Sequence, residues 1–166
     1  GARDNPVTIT ALGRSPKVRV YADASDLIHL TDSKGHGGTT VWAGACRGAI
    51  FSQSGKLHQG VRHSTDAECL QLEQATLIGD YYHRVLEELG YDNEVIYMQD
   101  NDAAITLCAE GTHAHDRKRK HMIACINSVY DYLSDPTSNA SLEAVITGQM
   151  HADIMTKSLV GELWER

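Results

Sequence analysis

A chain of 166 residues, 42% hydrophobic and 22% charged, is long enough for one well-formed core and too balanced to be disordered or collagen-like. No apolar run approaches the roughly 20 residues that a membrane-spanning helix needs. The opening GARDNPVTITALGRSP lacks the uninterrupted apolar stretch of a signal peptide, and a net charge of −7 argues against a uniformly phosphate-seeking surface.

Residues 1–16 hold two of the three prolines and little periodicity, and read as an N-terminal connecting segment ahead of a folded domain over 17–166. From Lys17, KVRVYAD alternates polar and apolar residues, the pattern of a half-buried strand ending near Asp23. DLIHLTDSKGHGG, closing on glycines, is expected to be a loop, and TTVWAGACRGAIF a second strand. Ser54-Gly55 then predicts a turn into a third strand over about 56–62, so that short connections make antiparallel hairpins.

His63-Ser64-Thr65 opens a long helix. Thr65-Asp66-Ala67-Glu68 fits a capping box, with Thr65 as the cap and Glu68 reaching back. Apolar residues recur at 70, 77, 78, 81, 85 and 89, near helical period, before Gly90 supplies a stop. EVIYMQ (94–99) is a short buried strand running into Asp100. A short helix over 102–109 stops near Gly111, and Met122, Ile126, Val129, Tyr130 and Leu133 mark another that ends before Asp135-Pro136. SLEAVIT is a last strand and HADIMTKSL a last short helix.

Hairpin-linked strands followed by strand–helix–strand crossovers imply a mixed sheet with helices packed on its faces and right-handed parallel crossovers. Sites in such sheets lie beyond the carboxyl ends of the strands. Asp23 and Asp100 end two strands that should be parallel neighbours, while Glu68 and Asp153 each stand in the first turn of a helix. Taken singly, Glu68 is explained by the capping box, Asp153 by the helix dipole and Asp100 by a turn. Taken together, the four acids can meet in one cleft. Carboxylates so placed repel unless cations neutralise them, and oxygen-only ligation suits Mg²⁺, or Mn²⁺ in its place, rather than zinc. Two such ions, about 3.5–4 Å apart, serve phosphodiester hydrolysis.

The blocks VRVYADAS, HSTDAECLQLEQA, YMQDNDAAITL, RKRKHM and HADIMTKSL, in that order, span about residues 18–160. This ordered set resembles the ribonuclease H domain of copia-type LTR retrotransposon polyproteins, HSTDAE matching the family's S-T-E-A-E block and ADIMTK its A-D-x-x-T-K block. The resemblance implies an α/β fold with a five-stranded mixed sheet, three antiparallel strands plus two parallel, and helices on both faces. It implies catalytic, metal-binding residues at Asp23, Glu68, Asp100 and Asp153, holding two Mg²⁺ ions. In that arrangement the first Asp bridges the ions, the Glu and second Asp complete one shell, and the last Asp holds the other ion. The implied activity is endonucleolytic hydrolysis of the RNA strand of RNA/DNA hybrids, recognised through backbone shape and the 2′-hydroxyl. The reverse transcriptase portion of the same polyprotein is the implied partner.

The basic block Arg117-Lys118-Arg119-Lys120 reads either as a solvated helix start or as phosphate-binding surface. The resemblance favours the second, with Arg117, Lys118, Lys120 and His121 as nucleic-acid contacts. Asp66 replaces the family's usual Glu at a position not expected to bind metal, and ASDLIHLTDSKGHGG departs from the family text. Asp26, Asp32 and Asp102 are expected to be turn or cap residues. His151 is open to two readings, a helper in proton transfer or product release and a plain helix-start residue.

The four cysteines, at 46, 69, 108 and 125, form no C-x-x-C pair and are expected to be free thiols. The spacing of Cys108, His113, His115, His121 and Cys125 fits no familiar zinc finger. GHGG lacks the Lys and the pattern of a phosphate loop. The expected setting is the cytoplasm, within a virus-like particle, or the nucleus. The chain is read as a polyprotein fragment or a domesticated copy, with a catalytically inactive binding or scaffold module as the alternative.

Overall fold

The computed structural model describes residues 13–29, 34–46, 48–111 and 120–156. The strands are β1 (Lys17–His29), β2 (Lys34–Ala43), β3 (Phe51–Gly60), β4 (Glu94–Gln99) and β5 (Ala140–Ala144). The helices are α1 (Ser64–Glu88), α2 (Asp102–Glu110), α3 (Ile123–Ser134) and α4 (Asp153–Thr156), with a 3₁₀ turn at Thr147–Gln149. The sheet runs β3-β2-β1-β4-β5. β1–β2 and β2–β3 are antiparallel, and β1–β4 and β4–β5 are parallel. The mixed five-stranded sheet expected from the sequence is therefore present.

The first hairpin departs from the expected boundaries. β1 continues past Asp23 to His29, and GHGG lies inside β2 rather than in a loop. Ser54 and Gly55 sit within β3, opposite Gly38 and Gly37. The chain reverses earlier, at Gly44 (φ 57°), where Cys46 N–H donates to the Ala43 carbonyl and Ile50 N–H to that of Val41. The glycines of β2 mark close approach, not a turn. A Cβ on Gly38 would stand 2.5 Å from the Met155 Cβ, and one on Gly37 would collide with the Gln71 side chain. Neighbouring strand residues point to opposite faces, so α1 and α4 cover opposite faces of the sheet.

On the α1 face, Val18, Val20 and Ala22 pack with Leu70, Leu72, Tyr97, Ile126 and Val129 in the main core. Each such aliphatic side chain contributes roughly 1.5–3 kcal/mol on full burial. On the α4 face, Tyr21, Met150 and Ala152 form a smaller cluster with Trp42, Met98 and Val145.

α1 begins as expected but is capped differently. His63 is the N-cap, and no side chain closes a capping box. Glu68 is turned inward instead. The C-terminus is a Schellman arrangement: Gly90 (φ 84°) donates to Glu87 O and Tyr91 N–H to Leu86 O. The buried stripe includes Leu72, Ala75, Gly79, His83 and Leu86, while Leu77, Tyr81 and Leu89 are exposed. Small and polar residues occupy this stripe because Tyr97 lies against Gly79 and Asn93 bonds His83 (2.9 Å). Among the described residues, no helix is long and apolar enough to cross a membrane.

Candidate active site

The parallel pairing of Tyr21 with Met98 sets the register of β1 on β4. Two residues further along the chain in each case stand Asp23, still within β1, and Asp100, the first residue after β4. Asp153 is the first residue of α4. Asp23, Asp100 and Asp153 each offer a carboxylate oxygen, and these oxygens lie within 4.8 Å of one another. Asp23 is 3% exposed, and the other two are half-buried.

Glu68 approaches from α1 and is buried. Its carboxyl is pushed up to about 9, first by burial and then by the charges of Asp23 and Asp100; a hydrogen bond from Gln99 opposes the shift. Burial beside other carboxylates disfavours the ionised form of Glu68 unless a cation compensates. The donor set, oxygen only and partly open to solvent, fits a hard divalent ion.

Two residues that support these acids had no assigned role in the sequence reading. Gln99, fully buried at the end of β4, donates through Nε2 to Glu68 Oε2 (3.3 Å). Its Oε1 accepts from Asp100 N (2.8 Å) and Asn101 N (3.1 Å). Thr156, buried in α4, donates its hydroxyl to Asp23 Oδ2. A polar residue ending the apolar run EVIYM was the available signal for Gln99. Thr156 lies three residues after Asp153, one helical turn on.

The short helix α4 needs outside support, since one turn is unstable alone. Ser54 Oγ donates to Met155 O (2.6 Å), Ser25 Oγ reaches Thr156 O (3.4 Å), and His36 Nε2 meets Ser54 Oγ (2.7 Å). Ahead of the helix, the His151 ring packs on Trp42 and Tyr21, each at 4.6 Å between centroids. Burial lowers its pKa, which favours the neutral ring. This packing gives His151 an anchoring place at the start of α4.

No family model and no curated protein matches the sequence. Solved structures do. LC11-RNase H1, isolated from compost by a metagenomic approach, superposes with a TM-score of 0.59 at 15% identity, over 84% of this chain and 91% of that one. The same protein in complex with an RNA/DNA hybrid gives 0.58 at 14% identity, over 83% and 92%. The fold is the ribonuclease H fold. The native prototype foamy virus protease-reverse transcriptase also matches, with a TM-score of 0.53 at 13% identity, over 85% of this chain but 20% of that longer one.

Of the proposed contact residues, Lys120 and His121 stand in the turn ahead of α3. Lys120 is exposed, and His121 Nε2 lies 3.3 Å from Asp66 Oδ2. Asp66 is buried, so the Glu-to-Asp departure sits at a contact between the starts of α1 and α3. Arg117 and Lys118 lie outside the described residues, as do His113 and His115. Asp102 falls in the first turn of α2, where Asn101 is the cap, its side chain accepting from Ala104 N. A cavity of about 480 Å³ opens between α1 and α3, lined by Thr76, Asp80, Arg84 and Tyr132 among others. It contains none of the four acids.

Proposed function

We propose that this chain is a metal-dependent endoribonuclease that hydrolyses the RNA strand of RNA/DNA hybrids. The observation that carries the reading is the meeting of Asp23, Asp100 and Asp153 within 4.8 Å, with Glu68 buried beside them. Asp23, Glu68, Asp100 and Asp153 would hold Mg²⁺ or Mn²⁺, two ions per site. Bound there, the ions supply an activated water and neutralise charge on the leaving oxygen. The chain's own part is to aim the acids: Thr156 orients Asp23, and Gln99 holds Glu68 and the Asp100 backbone.

The likeness to a ribonuclease H solved on an RNA/DNA hybrid supports the choice of substrate. Lys120 and His121, with Arg117 and Lys118, are proposed to contact the hybrid backbone, supplying local positive charge on an acidic chain. The ordered sequence blocks support an origin in a copia-type retrotransposon polyprotein or a domesticated copy of one. The match to one fifth of a viral reverse transcriptase chain supports the reverse transcriptase portion as partner. Action during reverse transcription places the protein in a cytoplasmic virus-like particle or the nucleus.

Cleavage of a labelled RNA/DNA hybrid with Mg²⁺ or Mn²⁺, beside Asp100→Asn and a DNA duplex, tests the reading. We expect metal-dependent cutting of the RNA strand alone, reduced at least about 100-fold in the variant, as for other groups acting directly in a reaction. Measurable hybrid binding at high protein concentration without cutting in either metal would instead make the chain a binding module.

A further inference from the structure

We infer that Gln99 is a positioning residue for cation capture, its one amide setting the Glu68 side chain and the Asp100 backbone in a single geometry. This rests on the metal-dependent reading above and adds to it a residue outside the four acids.

The amide is fixed from three sides. Its oxygen accepts from two successive backbone N–H groups, Asp100 and Asn101, at 2.8 and 3.1 Å. An oxygen must face those two donors, because a flipped amide would set N–H against N–H. The NH₂ group is thereby forced toward Glu68 Oε2, 3.3 Å away. The residue itself cannot drift: it is fully buried, its backbone carbonyl accepts from Val145 N (2.9 Å), and it pairs with Ala144 of β5. Beyond it, Asn101 accepts from Ala104 N (3.1 Å) and starts α2. One side chain therefore links α1, the end of β4 and the start of α2.

The chemistry of an amide suits this place better than the alternatives. A lysine or arginine here would bind Glu68 as a fixed cation and compete with a metal ion. A carboxylate would repel Glu68. A neutral donor supports the ionised Glu68 and leaves its charge available to an incoming ion. Groups that hydrogen-bond to metal ligands typically change metal affinity or activity by about 10–100-fold when removed.

The test is calorimetric titration of Mn²⁺ into the hybrid-free protein, comparing wild type with Gln99→Met, a side chain of similar length without hydrogen-bonding groups. We expect Mn²⁺ affinity to fall by about 10–100-fold, with a cooperative urea transition retained and cleavage recovering as Mn²⁺ is raised. In a Glu68→Gln background the same substitution should lower affinity by a clearly smaller factor, because only its hold on the Asp100 backbone remains to be lost and coupled residues are not additive. Should Gln99→Met not fold, Gln99→Asn, one methylene too short to span both partners, carries the same expectation. Unchanged Mn²⁺ affinity in the variant, or an equal drop with and without Glu68, would overturn the inference and leave the nuclease reading intact. Wild-type protein that binds no Mn²⁺ would overturn both.

Discussion

Glu68 is held among Asp23 and Asp100 out of contact with water, and its carboxyl is raised from an ordinary value of 4.5 to about 9. Without metal, the folded chain keeps a proton across this range that the unfolded chain has released. The stability tied to that proton is complete below the unfolded value and is lost as pH rises through the folded one. In the presence of a chelator, the thermal midpoint should therefore fall between about pH 5 and about pH 8. Glu68→Gln should flatten that slope, and Mg²⁺ or Mn²⁺ should raise the wild-type midpoint more at the higher pH. Identical pH profiles for wild type and variant would show Glu68 to be ionised at neutral pH. This behaviour was not readable from HSTDAE: the residue fits a capping box on paper, and the approach of two distant aspartates turns it inward.

α4 is one turn long, yet it brings Asp153 and Thr156 to the site. Its seat depends on Gly38, where a Cβ would stand 2.5 Å from Met155 Cβ and 3.2 Å from the Ala152 carbonyl oxygen. Gly38→Ala should cost about 1–3 kcal/mol by overpacking, and the displaced helix should carry Asp153 out of register with Asp23. We expect a lowered urea midpoint and a loss of cleavage larger than the stability change explains. Normal cleavage in a destabilised Gly38→Ala protein would show that α4 tolerates the shift. Local pattern located α2, α3 and β4 closely, since their periodicity and stop signals lie within one segment. It misplaced the β1–β2 and β2–β3 connections: GHGG looks like a loop until α1 and α4 are seen packed against Gly37 and Gly38, and Ser54-Gly55 looks like a turn until Ser54 is seen bonded to α4. It also suggested an apolar face for α1 containing Leu77, Tyr81 and Leu89, which the structure leaves exposed.

Across the whole molecule, three helices of the main core each bring a cysteine inward. Cys69 of α1, Cys108 of α2 and Cys125 of α3 are all buried, and Cys125 Sγ meets the Cys69 carbonyl at 3.3 Å. The hydrogen bond with Cys69, then burial, raises the Cys108 thiol; burial raises that of Cys125. Thiolate is the reactive form, so these thiols should be inert while the core is closed, whereas Cys46 is half-buried in the β2–β3 connection. Reaction with a chromogenic disulfide should label one thiol per native chain rapidly and all four in denaturant. Rapid labelling of more than one would mean that α1, α2 and α3 do not close over the sheet as described.

By itself the sequence determined the order of elements, the mixed character of the sheet and the four candidate acids, because strand periodicity, helix stops and ordered blocks are local properties of the chain. Only the tertiary structure decided what surrounds those acids. Gln99 and Thr156 gain their roles from partners 31 and 133 residues away, Glu68 and Asp23. The Glu68 proton and the glycine seat of α4 depend likewise on strands and helices brought together from distant parts of the chain. Desolvation, like-charge repulsion and steric approach act through space, so no window of sequence contains them.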